Sequence, residues 1–215
     1  MDSESQTQII AIIAVFLFLA LFIFLIIKLM RWQKKKVWTH TGVIADTLNI
    51  ILDGRDDPKF YKRFPVLSGK YKNRQLNIYT EMRGSGKHRH YVTVLQIACA
   101  SHTDNTLTIW KEGSFSKIGK AFGMQDIVTG FDDFDKRFVL RSKNPDFAQK
   151  VFNQKVSDKF LDSAKLIGTS LYFENGYFSY TEQLLIANDI TRQRYMNVID
   201  LFTLLAERVE TLPRN

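Results

Sequence analysis

Ile9–Ile27 (IIAIIAVFLFLALFIFLII) contains no charge, no Gly and no Pro. As an α-helix rising about 1.5 Å per residue, this stretch spans roughly 28 Å, close to the hydrocarbon thickness of a bilayer. The run is therefore read as a single transmembrane helix, set at residues 9–30. A short tail (1–8) precedes it. A basic juxtamembrane segment (31–39) and one domain (40–215) follow. No ionisable or amide side chain interrupts Ile9–Ile27, as an ion or proton path would require. No GxxxG pair marks a dimerisation face. The segment reads as a tether.

Charge on either side of the run sets the orientation. The leading MDSESQTQ carries Asp2 and Glu4 and no cation, whereas Lys28, Arg31, Lys34, Lys35 and Lys36 follow the run. Lys and Arg close to a span stay on the cytoplasmic side. The expected placement is the cell membrane, single-pass, with the N-terminus outside and the C-terminal domain in the cytoplasm. Trp32 and Trp38 suit an interfacial belt on that side. A cleaved secretory signal would need a basic start, a shorter core and a small-residue cleavage site. This chain has an acidic start, a long core and RWQKKK. Its one cysteine, Cys99, excludes an internal disulfide and fits a reducing compartment.

The net charge of +8 is unevenly placed. Residues 54–91 hold ten Lys/Arg against three acids, while from Val92 onward acids and bases balance. A basic stretch beside a tether points to an anionic leaflet, where each cation near the surface contributes about 1 kcal/mol. The candidate lipid-surface residues are Lys28, Arg31, Lys34, Lys35, Lys36, Lys59, Lys62, Lys70, Lys72 and Arg74. Nucleic acid is the rival use of a basic patch, but the tether keeps lipid permanently nearby. A merely solvated, solubilising face is the bland alternative.

Further along, the pattern is mixed. Val43–Leu52 reads as a short amphipathic helix ended by Asp53-Gly54, and Arg55–Lys62 as a charged connector. Val66–Tyr71 and Leu76–Glu81 read as a hairpin around Lys72-Asn73-Arg74. Tyr91–Ala100 is the strongest strand pattern. Ser101–Asn105 reads as a polar turn, with Thr106–Lys111 as the hairpin partner beyond it. Phe115–Gly130 is partly irregular, and Arg137–Arg141 alternates as a strand. Asn144 and Pro145 open a helix to Asn153. Ser157–Ala164 forms a second, capped by Ser157. Asn175-Gly176 joins Leu171–Glu174 to Tyr177–Tyr180 through a type I′ turn. Thr191–Thr211 carries Val198, Phe202, Leu205 and Val209 at helical spacing, with Pro213 just beyond. The expected class is α+β: one N-terminal transmembrane helix, then a single domain with a mainly antiparallel sheet and a C-terminal amphipathic helix. A pleckstrin-homology-like barrel is one form this order can take.

Gly84-Ser85-Gly86-Lys87 has Glu81 and His88 where a P-loop needs Gly and Ser/Thr. Lys87-His88-Arg89-His90 places two imidazoles on one strand face, with cations interleaved and no third ligand. Asp132-Asp133-Phe134-Asp135 lacks the EF-hand order; the alternative is one Asp capping a turn while Phe131, Phe134 and Phe138 pack inward. Cys99 lies in an apolar strand, where a thiol is usually a small hydrophobe. No catalytic, metal or cofactor residue is assigned.

Two longer stretches carry a resemblance. They are Leu67-Ser68-Gly69-Lys70-Tyr71-Lys72-Asn73-Arg74 and the segment from Asp126 to Leu140, followed by the closing hairpin and helix. This pattern resembles a group of uncharacterised bacterial single-pass membrane proteins. In that group an L-S-G-x-Y-x-x-R hairpin precedes a T-G-x-x-x-F-D-x-x-F-x-V segment. The likeness covers most of residues 40–210. Its motifs are aromatic and turn residues, so it implies packing and brings no activity, cofactor or catalytic residue.

The functional expectation is a membrane-anchored, non-catalytic cytoplasmic domain that binds a protein partner or an anionic lipid surface. The alternatives are a membrane-anchored enzyme with a site near Asp132/Asp135 and His88/His90, or a structural subunit of a membrane complex.

Overall fold

The computed structural model describes residues 3–55, 63–100, 105–112, 125–164 and 167–212, with side chains described from Ile12 onward except that of Gln125. Of the features read from sequence, Lys59, Lys62 and most of the 55–62 connector lie outside these residues. So do most of the 101–105 turn, most of 115–130, and Pro213.

Helix α1 runs unbroken from Ser3 to Leu48. Nothing in the sequence stops it earlier: the first Gly is Gly42, and Lys, Arg and Gln are good helix formers. The 1–8 tail is thus helical from Ser3, and the short helix expected at Val43–Leu52 is the end of α1. One helix meets two environments. From Ile12 to Gln33 it is exposed all round; from Val37 it buries one stripe, Val37, Trp38, Thr41, Ile44, Ala45 and Leu48. That spacing is one helical face, so the domain begins at Val37, three residues before the expected boundary.

The remaining elements are β1 (Leu52–Asp53), β2 (Val66–Tyr71), β3 (Arg74–Arg83), β4 (His90–Ala98), β5 (Leu107–Lys111), β6 (Gln125–Ile127), α2 (Asp132–Asp135), β7 (Phe138–Ser142), α3 (Pro145–Val151), α4 (Gln154–Ser163), β8 (Leu171–Glu174), β9 (Tyr177–Glu182) and α5 (Asp189–Glu210). Among the described residues the strands form one nine-stranded antiparallel sheet, ordered β1-β2-β3-β4-β9-β8-β5-β7-β6. The expected β4–β5 hairpin is absent. β4 pairs with β3 and β9, and β5 pairs with β7 and β8. The closing hairpin β8–β9 is inserted between the two halves of the chain, so the order is not that of a simple sequential meander.

Local chemistry explains most element ends. Lys72 and Asn73 (φ 47° and 65°) and Asn175 and Gly176 (φ 52° and 75°) supply the left-handed pairs that two-residue hairpin turns demand. Asn144 caps α3, accepting from the Phe147 amide. α4 starts earlier than expected because Asn153, not Ser157, caps it; Ser157 is buried. Asn188 and Thr191 form a reciprocal capping box at the start of α5.

The lower part of α1 packs beside α5, which also touches α3, α4, β4 and β9. A single apolar core lies between helices and sheet. Phe134, Phe138, Phe152 and Phe160 form one ring cluster within it, and Phe173, Phe178 and Phe202 another.

The domain has two distinct ends. The Trp38 indole donates to the Arg63 carbonyl (2.9 Å), and Gly69 lies so close to Ile50 that a Cβ would approach its Cγ2 to 2.6 Å. The helical stretch Trp38–Ile50 and the strand stretch Arg63–Gly69 both cover about 20 Å, so β2 runs alongside α1 in the same direction. α5 does likewise: it begins at Asp189, 3.5 Å from His40, and ends at Glu210, on Arg74. The near end, next to the apolar part of α1, therefore holds the β3–β4 turn and the start of α5. The far end holds the β2–β3 turn and the end of α5.

Candidate functional site

The basic run lies on α1 where the apolar span meets the domain. Lys28, Arg31, Lys35 and Lys36 are exposed. By spacing, Lys28, Arg31 and Lys35 share a face. The Lys36 ammonium sits 3.8 Å over the Trp32 ring, and that of Lys34 sits 5.3 Å over Phe64. These five cations are spread over about 12 Å of helix axis, directly beyond the apolar segment.

Lys70, Lys72 and Arg74 do not join them. The same reasoning from charge density grouped them with the run, but β2 carries them to the far end. Arg74 is also committed elsewhere. Its Nε donates to Glu210 Oε1 (3.2 Å), its Nη2 pairs with Glu210 Oε2, and Glu207 lies 4.0 Å away. The Ala100 amide donates to the same Glu210 carboxylate (3.0 Å). Burial pushes the Glu210 carboxyl up, but the hydrogen bonds from Arg74 and Ala100 outweigh it and leave the group below the ordinary carboxylate range. Arg74 thus locks the β2–β3 turn to the last turn of α5.

The residues considered for catalysis are kept apart. His88 ends the 3-10 turn Gly86–His88, and His90 opens β4. α2, with Asp132 and Asp135, leads into β7, four strand spacings away along the sheet, about 19 Å. Asp135 caps its own turn. It accepts from the Thr129 amide (3.1 Å), the Thr129 hydroxyl (2.8 Å) and the Gly130 amide (3.1 Å). Of the three rings expected to pack inward, Phe134 and Phe138 are buried and Phe131 is half-buried against the core. Cys99 is buried against the Ala206 carbonyl (3.8 Å). Burial, helped by the charge of Glu210, pushes its thiol up to about 12, so it is not a thiolate at neutral pH. Among the described residues no three His, Cys, Asp or Glu side chains gather as a metal would need.

Sequence reasoning missed one polar cluster. Glu182 follows Phe178 and Tyr180 on the inward face of β9. Its carboxylate pairs with the Arg194 guanidinium and accepts from the Tyr180 hydroxyl (2.9 Å), which in turn accepts from the Gly168 amide (3.1 Å). Tyr195 donates to the Thr93 carbonyl (3.1 Å) on the neighbouring strand. Burial and the Glu182 charge hold both tyrosines well above their ordinary pKa. The available signal was an acid at the inward position of an alternating strand. The cluster fixes α5 to β9 and β4 with directional bonds.

No family model matches this chain, and no curated protein matches it in sequence. In structure it is similar to the mycobacterial trehalose monomycolate transport factor A, TtfA, known from a crystal structure. The TM-score is 0.53 at 10% sequence identity, over 85% of this chain and 97% of that one. That likeness is one of fold. The α+β arrangement, a long apolar N-terminal helix followed by a large antiparallel sheet and a C-terminal helix, is what this chain shows.

Proposed function

We propose that this chain is a single-pass membrane protein that holds a non-catalytic α+β domain at the cytoplasmic face, where the domain engages a protein partner or anionic lipid. The observation that carries this reading is α1. It is apolar and exposed through a length sufficient to cross a bilayer, and it enters the domain core without a linker. The five cations just beyond the apolar part support the cytoplasmic orientation. The neighbour's description as a transport factor is compatible with a non-catalytic role. The two motifs quoted above support grouping the chain with the bacterial single-pass proteins they resemble.

The test has two arms. After alkaline carbonate extraction the full-length protein should remain in the membrane pellet. A reporter fused after Asn215 should be active when it needs the cytoplasm and silent when it needs export. Release by carbonate, or activity only on export, would overturn the proposal.

A further inference from the structure

We propose that the tip of the β3–β4 hairpin, residues 83–90, is a second contact with the anionic headgroup layer, beside the juxtamembrane cations of α1. This rests on the reading of α1 as a membrane span.

Three observations converge on it. The first is height. Lys34 on α1 lies over Phe64, and Phe64 meets Tyr91 edge to face at 4.8 Å. Tyr91 follows His90, the last residue of the tip, so the hairpin is fastened to α1 at the level of the basic run. Strand register gives the same answer: Ile78 pairs with Leu67, and five more residues of β3 carry Arg83 about 17 Å back toward the near end. That places Arg83 a few ångströms beyond the level of Trp38, and about 12 Å from the end of the apolar run at Ile27. The loop continues from there. The polar headgroup layer occupies about 5–8 Å outside the hydrocarbon, and a long cationic side chain bridges the remainder.

The second observation is composition. Lys87, His88 and Arg89 are exposed, and among the described residues neither Lys87 nor Arg89 has an ion-pair partner. Arg83 is offset by Glu81 (2.6 Å). The third is the apolar flank. Met82 and Tyr91 pair across the hairpin and both are exposed, at 52% and 37%. Cations beside an exposed Met and Tyr at the end of a domain suit an interface that is half apolar and negatively charged. The loop that fails as a phosphate-binding motif and as a metal site is well formed for this purpose. Gly84 and Gly86, at φ 86° and 55°, fold it into a tight 3-10 turn that presents Lys87 and Arg89 outward.

The experiment uses full-length protein in nanodiscs with a fluorophore on a single introduced cysteine, the buried Cys99 being left in place. Ser85→Cys reports the tip, Lys70→Cys the far end and Ile23→Cys the span. Headgroup spin-labelled lipid should quench Ser85→Cys in discs containing phosphatidylglycerol. It should not quench Lys70→Cys. K87E/R89E should shift the contact equilibrium by roughly fivefold per charge and largely remove quenching at the tip. If acyl-chain spin label quenches Ile23→Cys while Ser85→Cys stays bright, the hairpin contact is wrong and the span stands. If neither is quenched, the span reading falls and the hairpin contact with it. Equal quenching in pure phosphatidylcholine, or no effect of K87E/R89E, overturns the anionic contact. Loss of tip quenching only when a protein or RNA is added would assign the loop to that partner instead.

Discussion

Glu182 and Arg194 are paired where water is largely excluded, with side chains only 6% and 18% exposed. A buried pair adds little over apolar packing, but removing one member strands the other. Arg194→Met is expected to destabilise the domain by about 3–5 kcal/mol, read as a fall in melting temperature. Restoring neutrality with Glu182→Gln in the same chain should recover part of the loss. Glu210 gives a different, pH-dependent test. Its carboxyl is depressed in the folded state, so its contribution is complete above the unfolded glutamate value of about 4.3. That contribution is lost as pH falls through the depressed folded value. Wild type should therefore lose more melting temperature than Glu210→Gln between pH 7 and pH 3. At this scale the sequence was partly legible. Asn144 and Asn175-Gly176 could be assigned because caps and turns are local chemistry, and one Asp of the Asp132–Asp135 run could be read as a turn cap without saying which. Glu182 and Arg194 could not, because their partnership spans a strand and a helix.

Among the elements, α1 shows how far composition reaches. The apolar run, the basic run and the amphipathic stripe were each visible, yet their union in one helix was not. Gly42, just before the expected start at Val43, does not break the chain, and the helix simply continues. The stripe it buries belongs to the domain core. A fragment starting at Lys36 should stay monomeric and melt cooperatively. A fragment starting at Asn49 would uncover the sites of Trp38, Ile44 and Leu48 and should be recovered as aggregate on size exclusion. The strands were legible one by one, since alternation is a local signal. The β5 pairing was not. Adjacency in sequence suggested β4, whereas register and core packing gave β5 to β7 and β8. The same limit misplaced Lys70, Lys72 and Arg74: charge density locates cations along the chain, and only the direction of β2 decides which end of the domain receives them.

For the whole molecule, five of the eight strand pairings among the described residues join consecutive strands, but the sheet is completed by β4–β9, β5–β7 and β5–β8, which join segments far apart in the chain. Such topologies fold in milliseconds to seconds rather than microseconds. Stopped-flow tryptophan fluorescence of the fragment starting at Lys36 should show refolding in that slower range. The insertion of β8–β9 beside β4 has a consequence for biosynthesis. β4 ends at Ala98, and the strand that covers its open edge begins only at Tyr177. At about 5–20 residues per second, a ribosome leaves that edge exposed for several seconds. The nascent chain thus waits with an adhesive strand uncovered, and its safe maturation depends on how quickly the residues between Ala98 and Tyr177 are supplied.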